Sequence, residues 1–188
     1  MDNPAEARSF LTFEFLALCL ILAAAFCNIS VFYGFYHYLG VIEIPVVWRG
    51  FLVGLEPLSA FALRLFVLPW LHIRNAFGVL LVSLILLIFV SFSYLWVTTV
   101  PVMIALRIIH GAVFVLITSS AVALLVHFIP KERSTQGFSF ISVVTLIPYA
   151  VIPLLTELLL PSVQSEAVIY ASVSVFSAVA IALLLALR

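Results

Sequence analysis

Five long stretches of this chain contain no Asp, Glu, Lys or Arg: residues 15–42, 75–106, 108–130, 134–156 and 167–187. A helix needs about 20 apolar residues to cross the hydrocarbon layer of a bilayer, and each stretch is long enough. The composition agrees. Hydrophobic residues make up 66% of the chain and charged residues 9%, against roughly 45–50% and about 25% in soluble domains. The mean hydropathy is +1.36. A soluble fold of 188 residues could neither bury that much apolar surface nor cover it with so few charges. This excludes a soluble enzyme, a disordered tail and a nucleic-acid binder with a basic patch, and it places the chain in a membrane. The net charge is zero, so the positions of the charges are informative and their sum is not.

The runs are continuously apolar rather than alternating, which argues for helices and against strands. The 75–106 stretch is too long for one span. It breaks at Trp96-Val-Thr-Thr-Val-Pro101, and proline suits a first helical turn. The expectation is an all-α integral membrane protein, a single bundle of six transmembrane helices. They run over Phe10–Tyr36, Val46–Trp70, Ala76–Trp96, Pro101–Phe128, Gly137–Leu160 and Ala167–Leu187. All three tryptophans, Trp48, Trp70 and Trp96, fall at span ends, where interfacial aromatic belts lie. Residues 1–14 carry Asp2, Glu6 and Glu14 against Arg8, the wrong sign for a signal-peptide n-region. Cys19 and Cys27 lie eight residues apart on one helix, about 12 Å along its axis. They are too far apart to bond and read as inert buried thiols.

The connections carry Arg8, Arg74, Lys131, Arg133 and Arg188 on one side. On the other they carry only Arg49, with Glu43, Glu157 and Glu166. The positive-inside rule then puts both termini in the cytoplasm, and the expected location is a bacterial inner (plasma) membrane.

Polar groups inside the spans are costly and usually face the bundle interior. Positions advance about 100° per residue, so faces follow from spacing. On the first helix Ser30, Tyr33 and His37 share a face and Asn28 lies on another; they read either as interhelical contacts and interfacial anchors or as a cavity lining. On the second, Arg49, Glu56 and Arg64 share a face. Glu56 and Arg64 lie deep enough to need partners, in a substrate or proton site or in structural ion pairs. They are eight residues apart, about 12 Å, so each is expected to meet a different partner. On the fourth, Arg107, His110, Gly111, Phe114 and Thr118 share a face. Arg107 is expected to point into the bundle, the alternative being snorkelling to the outer surface. His110 is either a hydrogen-bonded helix contact or a proton carrier. On the fifth, Ser139, Ser142, Thr145, Tyr149, Pro153 and Thr156 share a face, and Pro148 and Pro153 interrupt the backbone ladder. On the sixth, Ser174, Ala178, Ala182 and Ala186 make a small-residue stripe expected to pack against a neighbour. The four histidines, His37, His72, His110 and His127, lack ligand spacing, so neither a metal nor a cofactor is expected. There is no HExxH, GxSxG, Walker or paired acidic motif, and the chain does not read as an enzyme.

Three local patterns carry a resemblance. Arg107-Ile-Ile-His-Gly111 is similar to the Arg-x-x-Gln-Gly pattern in helix 4 of the major facilitator superfamily. Pro130-Lys-Glu-Arg133, followed by Gly137, resembles the Pro-x-x-Arg…Gly segment after that helix. Leu146-Ile-Pro-Tyr-Ala-Val-Ile-Pro153-Leu-Leu-Thr-Glu157 resembles the superfamily's proline-containing helix 5. The likeness extends from about Phe13 to Leu187. It departs between helices 2 and 3, where the superfamily's Gly-x-x-x-Asp-Arg-x-Gly-Arg-Arg is replaced by Leu68-Pro-Trp-Leu-His72-Ile-Arg74-Asn75-Ala-Phe. The resemblance implies half of a twelve-helix transporter, a 3+3 inverted repeat, with the substrate site between two six-helix halves. Helices 1 and 4 would line the cavity, 2 and 5 would flank it, and 3 and 6 would face lipid. The implied function is secondary transport of a small solute by alternating access, with a missing C-terminal half or a second copy as partner. Arg107, His110, Glu56, Arg64, Asn28, Tyr33 and Tyr149 are the candidates for the substrate or proton pathway, with Arg107 the expected cation near the substrate or coupling proton and Glu56 or His110 the proton carrier. Two intramembrane arginines favour an anionic solute. The alternative is a six-helix membrane scaffold or assembly subunit that transports nothing.

Overall fold

The computed structural model describes residues 11–163 and 165–187. The expected helix start at Phe10 and the charges Asp2, Glu6, Arg8 and Arg188 lie outside the described residues. Among the described residues every regular element is a helix, and six spans are long and apolar enough to cross a membrane. Span 1 comprises α1 (Phe13–Ser30), a 3₁₀ turn (Val31–Gly34) and α2 (Phe35–Val41). Span 2 is α3 (Val46–Val67), closed by a 3₁₀ turn that ends at Trp70. Span 3 is α4 (Ile73–Ser93), span 4 is α5 (Val100–His127) and span 5 is built on α6 (Ser134–Leu159). Span 6 is α7 (Glu166–Ser172) and α8 (Ser174–Ala186), separated at Val173.

The differences from the expected boundaries have local causes. Span 1 runs to Val41 instead of stopping at Tyr36, because its end is closed by a paired carbonyl motif. Ile44 N–H donates to Leu39 O at 2.9 Å and Glu43 N–H to Gly40 O at 3.1 Å. This is the Schellman arrangement. Ile44 and Leu39, its two apolar positions, are both buried. The left-handed position falls on Glu43, with φ 60°, where glycine is the usual residue. Span 3 starts at Ile73 rather than Ala76, because Asn75 Oδ1 accepts from the His72 N–H at 2.8 Å while its Nδ2 donates to Trp70 O at 2.9 Å. Pro101 sits in the first turn of span 4, as its missing N–H allows. Pro148 and Pro153 lie inside one continuous helix of span 5.

Span 4 packs along spans 2 and 3, span 1 packs along spans 5 and 6, span 1 meets span 4, and span 3 meets span 6. Spans 1, 3, 4 and 6 thus form the packed centre. Span 6 corrects one expectation. Its packed face is Ser174, Ser177, Ala180 and Leu184, whereas Ala178, Ala182 and Ala186 are exposed. The reason is polar. Asn28 of span 1 is fully buried, donates to Ser177 Oγ at 3.2 Å and accepts from Ser91 Oγ of span 3 at 3.3 Å. An amide without partners would be costly in an apolar interior, so Asn28 sets the rotation of span 6 and the alanine stripe turns outward.

Candidate functional site

A buried cluster that carries both charges of an ion pair forms where span 4 touches span 2. A Cβ on Gly111 would collide with Ser59 Oγ and Glu56 O and would stand 3.0 Å from Ala60 N. Only glycine allows the two backbones so close. One turn earlier on the same face, that approach delivers Arg107 to the backbone of span 2. Its Nε donates to Leu52 O at 3.1 Å and its Nη2 to Val53 O at 3.1 Å. Val53 O is available for a covalent reason. Its helical donor would be the N–H of residue 57, and Pro57 has none. Arg107 therefore replaces the hydrogen bond that the proline removes.

The rest of the guanidinium is also occupied. Its Nη1 donates to Tyr94 Oη at 3.4 Å, and its Nη2 lies 3.7 Å from Glu56 Oε2. Its carbon stands 4.6 Å from the centre of the Phe35 ring and 5.4 Å from that of Phe32, within cation–π range. Arg107 is only 3% exposed; it lies in the bundle interior and does not snorkel. Tyr94 Oη lies 3.1 Å from His110 Nδ1, and Tyr38 Oη donates to Tyr94 O at 3.2 Å. His110 is fully buried, and its Nε2 has no hydrogen-bonding partner. Rings of Phe32, Phe35, Tyr38, Tyr94 and Tyr170 close around this cluster.

Glu56 belongs to two environments. Its ion pair with Arg107 is long, and it also lines a cavity of about 220 Å³ with Arg64, Phe61, Phe114 and Tyr149. A second cavity, of about 310 Å³, shares Arg64 and Phe114 with the first and is lined further by Phe26, Thr118, Ser119 and Thr145. Together the two cavities follow spans 1, 2, 4 and 5 from the level of Glu56 to that of Leu68. Arg64 is exposed to them, and Nη2 donates to Thr118 Oγ1 at 3.3 Å.

The sequence candidates therefore divide. Glu56, Arg107 and His110 share one buried network, and Arg64 and Tyr149 share the open cavities with Glu56. Asn28 lies apart, in the junction of spans 1, 3 and 6. Tyr33 lies beside Phe32 on span 1 but opens away from the buried network, into a cavity of about 290 Å³ with His37, Glu157 and Glu166. There His37 Nδ1 lies 2.8 Å from Glu166 Oε1, and Tyr170 Oη donates to Glu166 Oε2 at 3.0 Å. Arg49, on the same face as Glu56, donates to Ile44 O at 2.7 Å within the turn between spans 1 and 2.

Sequence reasoning missed Tyr94, Tyr170 and the Phe32–Phe35–Tyr38 run as the setting of Arg107. The available signal was their density at one end of spans 1, 3 and 6, but such aromatics also read as interfacial anchors. It missed the proline–arginine pairing as well, because Pro57, inside the second span, was not considered. Among the described residues, no group of three His, Cys, Asp or Glu side chains could hold a metal ion. No family model, curated protein or solved structure matches the chain.

Proposed function

We propose that the chain is one six-helix unit of a secondary transporter of the major facilitator type, moving a small solute by alternating access across the face formed by spans 1, 2, 4 and 5. The observation that carries this reading is the contrast between the uncovered faces. Within span 3, the exposed positions from Gly78 to Phe92 are all apolar, as befits a lipid face. On span 6, the one hydroxyl among the exposed residues, Ser172, is bonded back to Ile169 O at 2.8 Å. Spans 2 and 5 are the least covered, with 17% of their most apolar stretch buried against 39–56% for the other four. Yet they expose Arg64 and Tyr149 and border Glu56 and Thr145. A charged, hydroxyl-bearing face is costly against acyl chains. It is suited to a water-filled path against a second six-helix unit, whether the remainder of a longer chain or a second copy.

The packing pattern supports the same reading. Exchanging span 1 with 4, 2 with 5 and 3 with 6 converts the 2–4 packing into 5–1 and the 3–4 packing into 6–1. It leaves the 1–4 and 3–6 packings unchanged, and the smaller 1–2 contact through α2 is the departure, with no 4–5 counterpart of its size. That is the expectation for two inverted three-helix repeats. In this reading both termini are cytoplasmic, the membrane is a bacterial inner membrane and the path from Glu56 to Leu68 leads to the cytoplasmic side. Glu56 is the coupling carboxylate. It has a long ion pair and a cavity wall, whereas His110 lines neither cavity.

The test is flux in liposomes holding the full chain with any six-helix partner that purifies with it. Saturable counterflow of a labelled solute from a chemically varied panel is expected. Glu56→Gln is expected to abolish uphill accumulation driven by a proton gradient and to leave counterflow largely intact, because exchange needs the solute site but no net proton release. Accumulation equal to the parent's would make Glu56 structural, and absence of flux for every solute would remove the transport reading.

A further inference from the structure

Building on the transport reading, we infer that Arg64, and not Arg107, is the solute-binding cation, and that the cavity around it takes a small organic monoanion: a carboxylate on an apolar body. The two arginines are in opposite states. Arg107 spends its guanidinium on two carbonyls, a tyrosine, a carboxylate and two rings, and is buried away from any path. Binding a solute there would first require breaking the hydrogen bond that replaces the one lost at Pro57. Arg64 has one hydrogen bond, to the neutral Thr118 hydroxyl, and no carboxylate within ion-pair distance among the described residues.

Its position makes that imbalance consequential. Arg64 lies six residues before Trp70, about 9 Å along the helix. Side chains on a helix lean toward its N-terminus, which here means away from Trp70 and toward Glu56. The bond to Thr118, nine residues and about 13 Å before His127, shows the guanidinium turned inward to span 4 and not out to the nearer interface. A cation held at such depth calls for an anion, because charge inside the hydrocarbon layer is expensive unless paired.

The cavity selects the rest of the ligand. Its volume of about 310 Å³ is the room of about ten waters at ~30 Å³ each, which suits a small aromatic or short aliphatic acid. Leu22, Phe26, Phe114 and Ile141 offer apolar walls, and Ser119 and Thr145 add hydroxyls. Arginine presents a planar fork that matches a carboxylate in two-point contact. A second negative charge on the ligand would face Glu56 on the adjoining cavity wall, so a monoanion is preferred over a dianion.

Labelled benzoate is the probe, with the full chain in phosphatidylcholine nanodiscs. Saturable binding is expected, competed by hexanoate but not by methyl benzoate or benzylamine. Arg64→Gln is expected to weaken it at least tenfold, with Arg64→Lys intermediate because an ammonium lacks the two-point grip. Parent-like affinity in Arg64→Gln, or no benzoate or hexanoate binding by the parent, overturns the proposal. So does loss of binding when phosphatidylglycerol is added to the disc, which would make the cavity a lipid-headgroup site. If Arg64→Gln fails to reach the membrane, Val122, on the wall of the same cavity, offers a second variant: Val122→Trp narrows the cavity without touching the arginine; binding should fall, and unchanged binding overturns. Flux is read separately. Benzoate bound through Arg64 with no solute flux keeps this site and removes transport. Flux of neutral or cationic solutes without carboxylate binding keeps transport and removes this site.

Discussion

At the residue scale, Arg107 and Pro57 act as a unit. The proline removes a backbone donor and the arginine replaces it from another helix. Truncation of Arg107 leaves Glu56 buried without its cation, and breaking a buried pair costs about 3–5 kcal/mol. Arg107→Lys retains charge but not the fork that reaches Leu52 O and Val53 O together, so it is expected to lower the unfolding midpoint in detergent as well, by less. Pro57→Ala supplies a helical donor to Val53 O. In a double-mutant cycle it should recover part of the loss caused by Arg107→Lys, by about 1 kcal/mol, the net value of one hydrogen bond. Strict additivity of the two changes would show that the proline and the arginine are independent. Pro57 and Arg107 were both legible in the sequence, and faces derived from helical spacing grouped Arg107 with Gly111 correctly. Their meeting was not legible, because about fifty residues of chain separate them and either could have turned elsewhere.

At the element scale, the close crossing of spans 2 and 4 depends on one missing side chain. Gly111→Val would drive a branched Cβ into Ser59 and the backbone of Glu56 and Ala60. Overpacking of this kind costs about 1–3 kcal/mol, and displacing span 4 would also pull Arg107 from its carbonyls. Loss of thermal stability together with loss of the buried network is expected. Gly54, on the same helix as Glu56, stands in open space, and a Cβ there would meet nothing within 4 Å. Gly54→Ala should therefore raise the midpoint slightly, by up to about 1 kcal/mol, since alanine is the better helix former. A fall comparable to that of Gly111→Val would place a further contact at Gly54. The end of span 1 offers a matching test. Glu43 adopts a left-handed backbone that glycine tolerates freely. Glu43→Gly is expected to be neutral to stabilising, by up to about 1 kcal/mol, in the same unfolding assay, whereas Glu43→Val should destabilise. The Schellman end was not foreseen because its left-handed residue is not a glycine.

At the scale of the whole molecule, orientation is open to direct measurement. Arg74, Lys131 and Arg133 lie at one end of the bundle and Arg49, Glu43, Glu157 and Glu166 at the other. Single cysteines at Ser134 and Ser162, introduced after replacing Cys19 and Cys27, should react differently with an impermeant reagent applied to intact cells. Labelling at 162 and protection at 134 is expected; the reverse would invert the topology and move the cavity mouth near Leu68 to the outside. The uncovered face of spans 1, 2, 4 and 5 makes a second demand on the whole molecule. A chain inserted without any partner would expose Arg64 and Tyr149 toward lipid, which is the arrangement a second unit relieves.

The number of spans, their approximate limits and their helical nature follow from the sequence by itself. The physical reason is that a bilayer imposes a one-dimensional rule: a run of about 20 residues without charge, with every backbone group bonded inside the run. Prolines, tryptophans and charges mark the ends under the same rule. The rotation of each helix is different in kind, since lipid is as apolar as leucine and gives little guidance about which side turns inward. Small residues alone misdirected span 6, where Asn28 and Ser177 selected another face. The fates of the two deep arginines also lay beyond the sequence. Residue type and depth did not separate Arg64 from Arg107, and the resemblance put Arg107 at the solute or coupling-proton site. Only the crossing at Gly111, which brings span 4 onto the carbonyl freed by Pro57, separates the arginine that holds helices together from the arginine left facing a cavity.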